Sequence, residues 1–201
     1  MLGRVFVTFE GLDGSGKTTQ VELLAKGLRD EGREVVTTRE PGGSELGEQI
    51  REVLLHRAED IVPWAEAALF AAARAQLVEK IVLPALERGA DVLCDRYIDS
   101  SLAYQGIARG IGVDRVLEMN LQATRGLLPD RTILLTIDPG ERRMGAERDR
   151  IEREDAGFVA RVDDAYRELA ELFPRRILQV DGSKPPDEVA RTIRDELRDL
   201  S

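Results

Sequence analysis

The sequence predicts a doubly wound α/β domain, with five short parallel strands in one sheet and helices on both faces. Three observations carry that expectation. Short apolar runs alternate along the chain with longer stretches of helical periodicity. The runs are mostly continuous rather than alternately polar, as strands buried on both faces require. The joint between the first run and the first helix is rich in glycine, the form a strand-to-helix turn takes when it wraps an anion.

Val5 to Phe9 is the first expected strand. A helix follows from Lys17 to about Glu31, with Val21, Leu24, Ala25 and Leu28 on one face and Gly32 closing it. Glu34 to Thr38 is the second strand. A polar loop, "REPGGSELG", then leads to a short helix over Glu45 to Leu55. Pro63 suits the first position of a long alanine-rich helix that runs to Arg88, with a kink expected at Pro84. Asp91 to Cys94 is the third strand, followed by irregular helical segments to about Thr124. "RTILLTI", residues 131–137, is a β-branched fourth strand. A charge-dense stretch from Glu141 to Asp155 precedes a helix from Phe158 to Phe173. Ile177 to Asp181 is the fifth strand, and a last helix starts at Pro185. Without repeat, linker or low-complexity tract, residues 1–201 are expected to form one domain.

Composition excludes several function classes. The net charge of -9 opposes nucleic-acid and membrane-surface partners, so any anionic ligand needs a focused group of cations. One cysteine, Cys94, permits no internal disulfide and suits a reducing, cytoplasmic setting. One histidine, His56, leaves no His/Cys zinc site. The most apolar stretch, near Trp64 to Ala73, is too short to span a bilayer, and no secretory leader is expected.

Gly11, Gly16, Lys17 and Thr18 complete G-x-x-x-x-G-K-[ST], the phosphate loop, or P-loop. Gly11, Gly14 and Gly16 let the backbone close around an anion, and the helix beginning at Lys17 adds its positive end. Lys17 brings a full charge to the β/γ oxygens, and the Thr18 hydroxyl suits Mg²⁺. Residues Gly11, Leu12, Asp13, Gly14, Ser15, Gly16, Lys17, Thr18 and Thr19 are therefore the expected ATP site. A GTP switch is excluded, because its Asn-Lys-x-Asp stretch cannot exist where the only asparagine, Asn120, precedes Leu121. A non-transferase ATPase stays open, since "RTILLTID" ends in Asp138 and imitates a metal-binding strand.

The other loops favour a transferase. Strand ends in a parallel sheet face the ligand crevice. Arg39, Glu40, Asp95 and Arg96 should converge there with the P-loop, and Arg74 can reach it from the long helix. Several arginines beside one P-loop exceed what one triphosphate needs and suggest an acceptor phosphate, gripped by planar guanidinium groups. Alternatives remain for single residues. Asp95 also fits a helix N-cap, Arg74 a surface helix, and Trp64 and Phe70 the core.

The stretches "FEGLDGSGKTT", "TREPGG", "ALFAAARAQ", "LCDRYIDSSLAYQG", "ARGIG" and "DRIE.E" together resemble bacterial thymidylate kinases over nearly the whole chain. The resemblance implies a nucleoside monophosphate kinase fold and transfer of the γ-phosphoryl of ATP to dTMP, giving dTDP. It implies that Arg39 and Arg96 hold the acceptor phosphate, and that Glu40 and Asp95 act near Mg²⁺. It places Phe70 against the thymine ring and Arg74 on a base carbonyl. Ser101 and Gln105 then line the base pocket, Asp13 meets the 3′-hydroxyl, Tyr104 excludes a 2′-hydroxyl, and Pro41 lies near the methyl. It also implies a homodimer. A kinase for another deoxynucleotide or deoxynucleoside is the remaining enzyme alternative.

Phosphoryl transfer needs a further cation that arrives on closure. Some thymidylate kinases carry an arginine in the P-loop, where this chain has Gly14. The expected source is a short lid at about 141–155, containing Arg142, Arg143, Arg148, Arg150 and Arg153. That stretch is about one helical turn, roughly 5.4 Å, shorter than the bacterial pattern. Arg148 or Arg150 is the favoured catalytic arginine. The loop from Asp181 to Lys184, or Arg142, is expected near the adenine.

Overall fold

The computed structural model describes residues 4–57, 60–138, 140 and 149–198. Five strands form one parallel sheet: β1 (Phe6–Glu10), β2 (Val35–Arg39), β3 (Asp91–Asp95), β4 (Arg131–Thr136) and β5 (Ile177–Asp181). Their order is β2-β3-β1-β4-β5. From β1 the chain passes to the edge strand β2, returns to β3 between the two, and then crosses to β4 and β5 on the other side, so β1 ends at the crevice where strand order reverses.

Three strands begin or end a residue later than their side chains suggested. The reason is backbone pairing. Arg96 N–H donates to Phe9 C=O and Glu40 N–H to Asp95 C=O, both at 2.9 Å, which extends the ladder past the apolar run. The register sets Phe9 beside Asp95 and Asp95 beside Arg39. Glu10, Arg39 and Asp95 thus end adjacent strands.

Helices α1 (Lys17–Asp30) and α8 (Pro186–Leu197) cover one face of the sheet. Val21, Leu24, Val189 and Ile193 pack there on Val7, Phe9, Leu93, Ile133 and Leu135. Each fully buried large side chain contributes about 1.5–3 kcal/mol. The other face carries α3 (Pro63–Leu77), α4 (Leu83–Glu87), α5 (Ile98–Ser101), α6 (Val113–Ala123) and α7 (Ala156–Leu172). Helix α2 (Glu45–His56) packs on α3 through Ile50, Leu54 and Ala73. Asp155 caps α7, its carboxylate accepting the Phe158 N–H at 2.8 Å.

The long run from Pro63 is one continuous path, but its irregularity precedes Pro84. Val78–Val82 forms a wide π-helical turn between α3 and α4. Pro84 has no N–H for the carbonyl four residues earlier, so the distortion falls on the preceding turn. A second π turn, Leu102–Ala108, follows α5 and carries Tyr104 and Gln105. Such turns recur at functional sites because they re-aim successive side chains.

Gly11 and Gly32 both have positive φ, at +132° and +82°. A Cβ on Gly11 would lie 2.4 Å from the Leu135 carbonyl oxygen, whereas one on Gly32 would meet nothing within 4 Å. Gly32→Ala should therefore cost only about 1 kcal/mol of backbone strain, and Gly11→Ala about 2–3 kcal/mol or more. Urea unfolding of the two variants checks this ordering.

Candidate active site

The crevice above the strand ends is a cleft of about 460 Å³, lined in part by Asp13, Lys17, Thr18, Arg39, Phe70 and Arg96. Gly16, with φ +93°, ends the P-loop and α1 starts at Lys17, so the helix N-terminus opens toward this space. The Lys17 ammonium folds back on the loop, donating to Gly11 C=O at 3.1 Å and Leu12 C=O at 2.8 Å. Burial and the neighbouring Arg96 push it down to about 8, against Asp13, Asp95 and Glu10. The Thr18 hydroxyl donates to Asp95 Oδ2 at 2.7 Å. These two oxygen groups are hard donors of the kind Mg²⁺ takes together with water and phosphate. Among the described residues no group of three or more His, Cys, Asp or Glu could hold a metal by itself.

Arg96 is held in the left-handed region, φ +69°. Its guanidinium donates to Asp13 Oδ1 at 2.6 Å, and to Ser100 Oγ and the Tyr166 hydroxyl at 3.0 Å each. Below it lies the Glu10 carboxylate. It accepts the Tyr97 and Ser100 N–H groups at 2.7 and 3.2 Å, and the Ser100 and Tyr166 hydroxyls at 2.5 and 2.9 Å.

Arg39 also lines the cleft, more exposed, 3.3 Å from both Glu48 oxygens. Glu40 engages Arg74 rather than Thr18 or Asp95: Arg74 Nε donates to Glu40 Oε2 at 2.7 Å. Burial pushes the Glu40 carboxyl up to about 7, against the Arg74 guanidinium. Arg74 lies beneath the cleft. Its other donors go to Ser101 Oγ at 3.0 Å, Tyr97 C=O at 2.9 Å and Asn120 Oδ1. Contact with a base carbonyl requires one of these bonds to be shared.

Pro41, Phe70, Ser101, Tyr104 and Gln105 meet on one side of the same cleft. Gly11 and Leu12 do not line it. Gly11 packs on Leu135, and the Leu12 side chain lies in the core while its carbonyl holds Lys17. Arg148 lies outside the described residues, as do Arg142 and Arg143. Arg150 is not in the cleft wall. It donates to Leu54 C=O at 2.8 Å and Glu66 Oε2 at 2.6 Å, which ties this segment to α2 and α3.

A second cavity of about 260 Å³ shares Gly14, Gly16 and Thr19 with the first. Ser15 and Gln20 line it with Gly182, Ser183 and Lys184, from the loop after β5 that was expected near the adenine. The P-loop is thus the wall common to two compartments.

The sequence reading missed Arg51, Glu10 and Tyr166. Arg51 lines the cleft and donates to Pro41 C=O at 2.8 Å. It had a signal: it shares the inward face of α2 with Gly47, Leu54 and Leu55, where a cation is out of place. Glu10 and Tyr166 are joined across 156 residues by folding alone.

The family model described as thymidylate kinase matches residues 9–193. Thymidylate kinase of Leifsonia xyli subsp. xyli is 53% identical over 195 residues, covering 94% of this chain and 92% of that protein. That of Clavibacter michiganensis subsp. michiganensis is 52% identical with the same shares. The crystal structure of thymidylate kinase from Ehrlichia chaffeensis matches with a TM-score of 0.80 and 34% identity, covering 97% of this chain and 99% of that one.

The depressed Lys17 ammonium has a measurable consequence. Above pH 8 it is mostly neutral in the free protein, whereas bound phosphates favour its charged form. Triphosphate binding at pH 8.5 should therefore take up about 0.7 proton, and at pH 6.5 about none from this group. Calorimetry in buffers of different ionisation enthalpy reads the uptake, and Lys17→Arg, which stays charged, should abolish it.

Proposed function

The chain belongs to the thymidylate kinase family and is an ATP-dependent nucleoside monophosphate kinase that converts dTMP to dTDP. We propose that dTMP occupies the larger cleft and ATP the smaller cavity, with their phosphate ends meeting over the P-loop. The observation that carries this reading is the wall the compartments share, Gly14, Gly16 and Thr19. A switch or motor needs room for one nucleotide; a phosphotransferase needs two, end to end.

In this reading an oxygen of the dTMP phosphate attacks the γ-phosphorus of ATP. The bond from that phosphorus to the β-bridging oxygen breaks, and ADP leaves. The acceptor oxygen is already ionised, so no strong base is needed, and Asp95 serves to orient rather than to accept a proton. Lys17 moves from the loop carbonyls onto the β/γ oxygens. Arg39 and Arg96 grip the acceptor phosphate and offset its repulsion of the donor, with Arg51 adding charge nearby. Thr18 and Asp95 would hold Mg²⁺, which would supply charge neutralisation to the triphosphate. Glu40 acts through Arg74, fixing the floor of the base pocket.

On the base side, Phe70 offers an aromatic face, and Ser101 and Gln105 polar edges. Asp13 stands where a 3′-hydroxyl can bond, and the Tyr104 ring occupies the space a 2′-hydroxyl would need. On the donor side, the loop from Gly182 to Lys184 borders the adenine.

The closing cation comes from the segment at about 141–155. Arg150 is already committed to Glu66, which favours Arg148. The same family reading supports a homodimer, for which Val62 and Trp64, exposed at the start of α3, offer apolar surface. A cytoplasmic setting fits the unpaired thiol of buried Cys94. No helix among the described residues is long and apolar enough to cross a membrane.

ADP release should require both ATP and dTMP, and should fall to background with thymidine or with no acceptor. Release without an acceptor would favour an ATPase instead. Arg96→Ala should lower kcat/KM for dTMP by about 100-fold or more, and Arg39→Ala by about tenfold, because Arg39 is the more solvent-screened. Arg148→Ala should lower kcat at least about 100-fold with dTMP affinity retained, whereas Arg150→Ala should chiefly lower the melting temperature. Steady-state kinetics and thermal unfolding separate these effects.

A further inference from the structure

Glu66 lies in the first turn of α3 and is 1% exposed. Its carboxylate is the meeting point of three chain segments. Gln105 Nε2 donates to Oε1 at 2.8 Å, and Arg150 donates to Oε2 at 2.6 Å. Arg109 reaches both oxygens at 3.3 Å and passes its remaining charge to Glu154 at 2.5 Å. Burial alone would raise this carboxyl, but the bonds from Gln105, Arg150 and Arg109 outweigh it and hold it below its ordinary value. Glu66 is therefore an ionised group that can only accept.

That restriction passes to Gln105. A primary amide facing an acceptor-only partner must present its NH₂, so its carbonyl oxygen is the end left over. Gln105 lines the cleft. Among the described residues nothing donates to Gln105 Oε1, and it is not among the buried unpartnered atoms. The base side of the cleft thus offers an acceptor. A pyrimidine imide, with hydrogen on N3, donates to it; cytosine presents a lone pair there and is repelled.

We propose that Glu66 is a positioning residue for base selectivity: by fixing the Gln105 amide it makes the cleft accept thymine-type and refuse cytosine-type bases. The inference rests on the reading that puts the base beside Gln105.

The test compares dissociation constants for dTMP and 5-methyl-2′-deoxycytidine 5′-monophosphate, which differ only at base positions 3 and 4. Binding is read by calorimetry, so turnover does not enter. In Glu66→Gln the partner can donate as well as accept, and Gln105 can turn over. The preference for dTMP should fall by about tenfold or more, while position 4 still discriminates. Glu66→Asp, still acceptor-only, should keep the preference within about threefold while lowering thermal stability, as should Arg109→Ala. Combining Glu66→Gln with Arg150→Gln removes the stranded cation, and gives the same reading if the single variant does not fold. Gln105→Ala should also lose the preference. Retained preference in Gln105→Ala overturns the base assignment. Loss there with retention in both Glu66→Gln proteins overturns the role of Glu66 alone, and so does an equal loss in Arg109→Ala.

Discussion

The Glu10 carboxylate, wholly buried at the end of the central strand, is the constraint on which the site depends. Burial raises its pKa while Arg96 works against that rise, so its ionised form exists only inside this set of donors. Its partners are two backbone N–H groups and two hydroxyls from segments far apart in sequence. Taking a carboxylate out of water is costly, and a partly satisfied network is worse than an apolar core. The loop after β3 therefore has one good arrangement. In it Arg96 takes a left-handed backbone and reaches Asp13 of the P-loop. Remove the anion, and the Tyr97 and Ser100 N–H groups of that loop lose their common acceptor, leaving Arg96 tied chiefly to Asp13.

A similar logic orders the charges around the cleft. The chain is acidic overall, yet Lys17, Arg39, Arg51 and Arg96 all line one space. Each has a companion within the protein. Lys17 takes loop carbonyls, Arg39 takes Glu48, and Arg51 takes Pro41 C=O. Arg74 differs, being fully enclosed with Glu40, Ser101, Tyr97 and Asn120. Lys17, Arg39, Arg51 and Arg96 face the cleft, whereas Arg74 forms part of the floor beneath it.

Much of the fold was legible because its signals are local. Continuous apolar runs gave the strands, and Pro63 gave the start of α3. The strand-to-helix joint at Gly11 to Lys17 was legible for the same reason: its parts are contiguous. Strand ends were not, since Arg39 and Asp95 extend the ladder through backbone bonds that side-chain polarity does not report. The π turns were also hidden, because their wide hydrogen bonding follows from packing rather than composition. Arg74 could be assigned to the crevice from its helix, but its enclosure by Glu40 and Asn120 depends on contacts 34 and 46 residues away. Glu66 left no mark at all. An acid in the first turn of a helix is ordinary dipole chemistry, and only the approach of Gln105, Arg109 and Arg150 gives it another task.

The placement of β1 between β3 and β4 has a consequence for how such an enzyme changes over generations. Side chains from β2, β3, α2 and α3 border one compartment, while the loop after β5 and the start of α8 border the other. Among the described residues they share Gly14, Gly16 and Thr19. On the proposed assignment of the two nucleotides, mutations that retune which monophosphate enters can accumulate on one flank of the sheet and leave the fuel-handling flank as it was. A scaffold partitioned in this way can diversify its clientele without relearning how to hold its energy source.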